Sequence, residues 1–119
     1  MKLSIVEGRE GMTNKYHAVR CWSSLVQRWF ASKLERARGE YLYMEDQAGV
    51  ISQLRFQEPT WVLSRQPKVT YTPDFWYIRD GKEVFEDSKG KLTEATRIKL
   101  AWVKDKCGIE VTLSTRGRL

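Results

Sequence analysis

Long apolar runs are missing from this 119-residue sequence. No stretch approaches the ~18–20 consecutive apolar residues that a membrane-spanning helix requires, and residues 1–10 lack the apolar segment of a secretory signal. A soluble intracellular protein is the expectation. Cysteine is scarce as well: Cys21 and Cys107 stand far apart, with no CxxC pair and no accompanying His or Cys cluster. That excludes a disulfide framework and a tetrahedral zinc site. No internal repeat or low-complexity tract is present either. Acidic residues are in short supply, 15 against 21 Lys and Arg, and the formal net charge of +6 favours polyanionic partners. The shortage is sharpest between residues 14 and 38. There Lys15, Arg20, Arg28, Lys33, Arg36 and Arg38 face a single carboxylate, Glu35.

What the chain has in quantity is aromatic and β-favouring residues: five Trp, five Tyr and four Phe within a 41% hydrophobic composition. This suffices for one core of ordinary size but not two. The expected organisation is a flexible lead-in over residues 1–13 and a single domain over residues 14–119.

The apolar positions of residues 19–30 are irregularly spaced and fit either a helix or a short hairpin. Ser32 and Glu35 then form a capping box, and Leu34, Ala37, Tyr41 and Met44 recur at three- and four-residue steps. This predicts an amphipathic helix over residues 33–46, ended by Gly49. Residues 50–63, interrupted by Pro59, read as two short strands or one bent strand. After a polar break at 64–68, the β-branched and aromatic run 69–78 predicts a strand. Asp80-Gly81 is a two-residue hairpin signal, and residues 83–89 supply the returning strand. Residues 93–104 predict a second helix, and Gly108 separates it from a last strand at 109–113. The expected fold class is α/β, a central mixed sheet flanked by helices in the order α-β-β-β-α-β. Trp61, Trp76 and Trp102 fall inside these elements and read as core, whereas Trp22 and Trp29 fit either core or base-stacking roles.

The hairpin register carries chemistry. With Asp80 and Gly81 as the loop, Arg79 opposes Lys82, and counting outward sets Asp74 opposite Asp87. Opposed Cβ atoms lie about 4.5–5.5 Å apart, where like charges repel unless a cation sits between them. Lys89, two residues beyond Asp87, shares its strand face. A bulge of one residue would put Glu86 there instead. Hard oxygen donors without imidazole or thiolate suit Mg²⁺ or Mn²⁺.

Pro73-Asp74 followed by Asp87-Ser88-Lys89 resembles the PD-(D/E)xK signature of restriction-endonuclease-like nucleases. Asn14-Lys15-Tyr16-His17-Ala18, Phe30-Ala31-Ser32-Lys33-Leu34-Glu35, Gln57, Tyr71-Thr72-Pro73-Asp74-Phe75 and Glu86-Asp87-Ser88-Lys89-Gly90 together resemble a small phage-borne nuclease family of that superfamily. The order of motifs is also similar to that of the phage endonucleases that resolve Holliday junctions as dimers. The resemblance implies a restriction-endonuclease-like core and Mg²⁺-dependent hydrolysis of DNA phosphodiesters. It further implies metal binding by Asp74, Asp87 and Glu35, a catalytic Lys89, and supporting places for Gln57 and Glu86. A bacterial host cytoplasm and a homodimer follow as expectations from the same source.

Glu35 also has a purely structural use as the capping-box partner of Ser32. Lys15, His17, Arg36, Lys91 and Lys99 are the candidate DNA contacts. One domain of this size has little room for elements that read bases, which favours recognition of branched DNA by shape or backbone. The competing expectations are a non-catalytic nucleic-acid-binding protein on the same scaffold and a nickase or exonuclease acting on linear DNA.

Overall fold

The computed structural model describes residues 19–89 and 91–114. The lead-in expected at 1–13 and the candidate contacts Lys15 and His17 lie outside the described residues. In chain order the elements are β1 (Cys21–Ser23), β2 (Arg28–Phe30), α1 (Lys33–Gln47), β3 (Ser52–Phe56), β4 (Trp61–Arg65), β5 (Lys68–Tyr71), β6 (Phe75–Arg79), β7 (Lys82–Ser88), α2 (Glu94–Cys107) and β8 (Val111–Ser114).

Asp80 and Gly81 both take positive φ, 54° and 76°, as a tight hairpin whose twist matches its strands requires. They set β6 and β7 antiparallel with Arg79 opposite Lys82 and Phe75 opposite Glu86. At one edge β3 adds antiparallel to β6, and at the other β8 adds parallel to β7. The result is a mixed four-stranded sheet ordered β3-β6-β7-β8. A parallel neighbour demands a long crossover, and α2 supplies it. Its start is capped by the Thr93 hydroxyl, which accepts from the Thr96 N–H at 3.2 Å, and its end by Gly108 in the left-handed region.

The sheet divides the apolar interior in two. Phe75 and Tyr77 join Phe30, Leu42 and Ile51 beneath α1. Gly39 makes that approach possible, because a Cβ there would stand 2.7 Å from the Phe30 ring. A separate cluster of Leu63, Tyr71 and Val103 joins the β4–β5 hairpin to α2. Among the described residues no helix is long and apolar enough to cross a membrane.

Several expectations are corrected. The run 69–78 is two strands in different sheets, β5 and β6. Pro73 cannot donate to a ladder, so the chain leaves one sheet there and enters the other at Phe75. The polar break 64–68 lies within a hairpin, since β4 continues to Arg65 and pairs with β5. Residues 19–30 resolve as the β1–β2 hairpin, and residues 50–63 as two strands belonging to separate sheets. Helix α1 stands where expected but turns a different face inward. Glu35, Gly39 and Leu42 are buried, while Tyr41 and Met44 remain 42% and 52% exposed. A charged residue and a glycine on the buried side hide that face from any hydrophobicity pattern. Trp102 is not core: it is 38% exposed on α2.

Candidate functional site

Three elements end at one place: the first turn of α1, the segment leading into β6 and the C-terminal end of β7. Each brings a carboxylate. Glu35 enters because Ser32 caps α1, its hydroxyl accepting from the Glu35 N–H at 3.1 Å. The cap uses the Glu35 backbone, which leaves its side chain to turn inward, where it is buried. Asp74 follows Pro73 just before β6, and its N–H donates to Asp87 Oδ1 at 2.8 Å. The ladder register sets the opposing strand residue beside it, and the Ser88 N–H donates to Asp74 Oδ2 at 2.9 Å. The Asp87 carboxylate is thus held by the Asp74 backbone, and the Asp74 carboxylate by the backbone of Ser88, the residue after Asp87.

Gln57 ties in the third acid. Its Nε2 donates to Glu35 Oε2 at 3.1 Å and to Asp74 Oδ1 at 3.2 Å, from a residue held at a φ of +58°. Such a conformation is strained for a non-glycine residue and is found where surroundings hold it in place. The Gln57 N–H also bonds the Asp74 carbonyl at 3.0 Å. The Tyr71 hydroxyl donates to Asp87 Oδ2 at 2.5 Å, and Lys89 Nζ lies 4.0 Å from the same oxygen.

The electrostatics follow from this crowding. Burial, then the neighbouring Glu35 and Asp87, hold the Asp74 carboxyl well above the usual range, against the opposing pull of Lys89 and the Ser88 N–H. Burial also raises Glu35, with Asp87 adding to the effect and Gln57 resisting it. Tyr71 is kept protonated by its burial and by the Asp87 carboxylate. Among the described residues these three acids have one ammonium close by, that of Lys89, so this part of the cluster is short of positive charge.

An oxygen-only donor set of this kind suits a hard divalent cation. Among the described residues no group of three or more His, Cys, Asp or Glu stands ready to enclose a metal ion. Mg²⁺ does not require an all-protein cage, because it keeps several waters and is commonly held by one or two carboxylates. Asp74 and Asp87, each pinned by hydrogen bonds that leave lone pairs over, fit that mode.

Glu86 is elsewhere. It faces the opposite side of β7, is fully buried, and accepts from Arg38 at 2.5 and 3.1 Å and from the Tyr77 hydroxyl at 2.5 Å. With no bulge between β6 and β7, Asp87 is the acid beside Asp74. The candidate DNA contacts are dispersed. Arg36 on α1 donates to the Trp22 carbonyl at 3.3 Å, Lys91 is exposed beyond β7, and Lys99 is half-buried on α2. Sequence reasoning had no role for Tyr71 as a partner of Asp87, nor for Arg38 and Tyr77 as partners of Glu86. No local spacing marks them, since Tyr71 reaches Asp87 across 16 residues and Arg38 reaches Glu86 across 48.

No curated protein and no solved structure matches the chain. A family model described as a protein of unknown function, DUF1064, matches residues 13–115, and the chain belongs to this family.

Proposed function

We propose that the protein is a Mg²⁺-dependent DNA endonuclease with a restriction-endonuclease-like core, acting on branched DNA. The observation that carries this reading is the convergence of Glu35, Asp74 and Asp87 at the end of the sheet, with Lys89 as the adjoining cation. A structural cluster would gain nothing from three acids gathered around one lysine, whereas a metal-dependent phosphodiesterase needs that deficit of positive charge.

In this reading Asp74 and Asp87 hold the ion, with Glu35 beside them, tied to Asp74 through Gln57. The bound ion would supply charge stabilisation at the scissile phosphate and a more acidic water. The protein's own residues set the geometry. Gln57 holds Glu35 and Asp74 at a fixed separation, Tyr71 fixes the Asp87 carboxylate, and the Ser88 N–H fixes Asp74. Lys89, 34% exposed at its side chain, is placed to orient the attacking water or a phosphate oxygen.

The test is cleavage of labelled four-way-junction, forked, single-stranded and linear duplex DNA by the protein and by Asp74→Ala, with Mg²⁺ or with EDTA. Metal-dependent cutting that the variant loses supports the nuclease and ranks its substrates. Binding without cutting on every substrate would make the protein a non-catalytic nucleic-acid binder on the same scaffold.

A further inference from the structure

The β1–β2 hairpin turns its two tryptophans outward. Trp22 and Trp29 are directly opposed across the ladder, so both lie on one face, with the rings 5.6 Å apart and edge to face. They are 43% and 51% exposed. The other face is fully employed: Cys21, Ser23 and Phe30 are buried, and the Ser23 hydroxyl donates to Glu40 on α1 at 2.7 Å. The hairpin therefore needs neither indole for its own anchoring.

Cations surround the pair. The Arg20 guanidinium lies 5.0 Å from the Trp29 ring, and Arg36 is held against the Trp22 carbonyl at 3.3 Å. Val19 and Leu25, on the flank and in the turn of the same hairpin, are exposed as well, at 61% and 44%. The one carboxylate between residues 14 and 38, Glu35, is buried and turned towards Gln57. Outward-facing aromatic rings, arginines beside them and no competing acid in this stretch of chain match a polymer that combines flat bases with phosphates. A single strand offers both, because its bases are free to stack while its backbone is drawn to the cations. Paired bases in a duplex offer no free faces along its length.

We propose that Trp22 and Trp29 form a stacking platform for unpaired bases, flanked by Arg20 and Arg36, which selects DNA with single-stranded character. This rests on the nuclease reading only in taking DNA as the polymer. Through Arg36, the residue after Glu35, the platform adjoins the helix that carries an acid of the candidate site. An unpaired base held there would bring the adjoining duplex towards the carboxylates.

The test is equilibrium binding, by fluorescence anisotropy in EDTA at constant salt, to a labelled oligothymidylate, an abasic strand of equal length and a duplex. The protein should bind the oligothymidylate roughly 5- to 100-fold more tightly than the abasic strand, which has the same phosphates but no rings. Trp22→Ala and Trp29→Ala should each lose most of that preference, while Trp22→Phe and Trp29→Phe keep it and duplex affinity changes by less than about threefold. Equal affinity of the unaltered protein for the two strands would overturn the platform, as would alanine variants that keep the preference. A preference that persists in a protein showing no metal-dependent cleavage would sink the nuclease reading and leave the platform standing.

Discussion

Glu86 and Asp87 are adjacent in sequence and almost equally removed from water, 0% and 2% exposed, yet their surroundings are opposite. Glu86 meets a guanidinium and a phenol: Arg38 takes both of its oxygens, and burial together with Glu86 pushes the Tyr77 hydroxyl up to about 12. That group is balanced in charge. Asp87, one residue later and on the other face, meets a phenol, an amide, two further acids and a lysine 4.0 Å away. Leaving a buried charge uncompensated is costly, and Arg38 compensates Glu86, whereas the cluster around Asp87 carries more acid than the one lysine beside it can offset. One strand thus carries, back to back, a charge-compensated carboxylate and the carboxylate that we propose is functional.

The contrast can be broken most severely at Asp87. Asp87→Asn should lower DNA cleavage on the order of 10³-fold or more while leaving the circular dichroism spectrum unchanged. Turnover retained in that variant would remove Asp87 from the proposed metal site and end the functional half of the comparison. Arg38→Ala tests the other half by stranding Glu86 without its cation. It should cost about 3–5 kcal/mol in urea unfolding, with part recovered when Glu86→Gln is added. A loss below about 1 kcal/mol would mean that the pair is not what stabilises this side of β7.

The smallest effect sharpens the electrostatic account. Asp74 and Glu35 are raised in the folded state, so across the interval between their ordinary and raised values the folded protein binds more protons than the unfolded chain. Their contribution to stability is therefore present at low pH and lost as pH rises through the raised values. Without metal, Asp74→Asn should flatten this fall and raise the melting temperature at neutral pH by roughly 2–6 °C. Calorimetry across the acid-to-neutral range checks it. A slope identical to that of the unaltered protein would show that Asp74 bears no such strain.

Much of this site was legible because hairpin geometry is arithmetic. Once Asp80-Gly81 is taken as the turn, Asp74 beside Asp87 follows from counting, and the observed ladder has that register. The capping box placed the start of α1 for the same reason, since both partners lie within one turn. The helix face was not legible. Leu34, Ala37, Tyr41 and Met44 make the better apolar stripe, but the inward face is chosen by what α1 packs against: Phe30, Phe75 and the carboxylate cluster. The strand at 69–78 misled for a related reason. Residue preferences are alike on both sides of Pro73, and only the sheets that receive the two halves distinguish them.

The sequence by itself determined what depends on short separations: the helix caps, the tight turn, the cross-strand pairing and the two-residue step from Asp87 to Lys89. Helix and strand geometry repeats over one to four residues and a tight turn sets the pairing outward from it, so those relations follow from local geometry once the elements form. Tertiary structure alone decided that Gln57 bridges Glu35 and Asp74, that Tyr71 pins Asp87, that Arg38 neutralises Glu86 and that two tryptophans face outward. These contacts join residues far apart in the chain, and which of them form depends on how the sheet, helices and hairpins pack together.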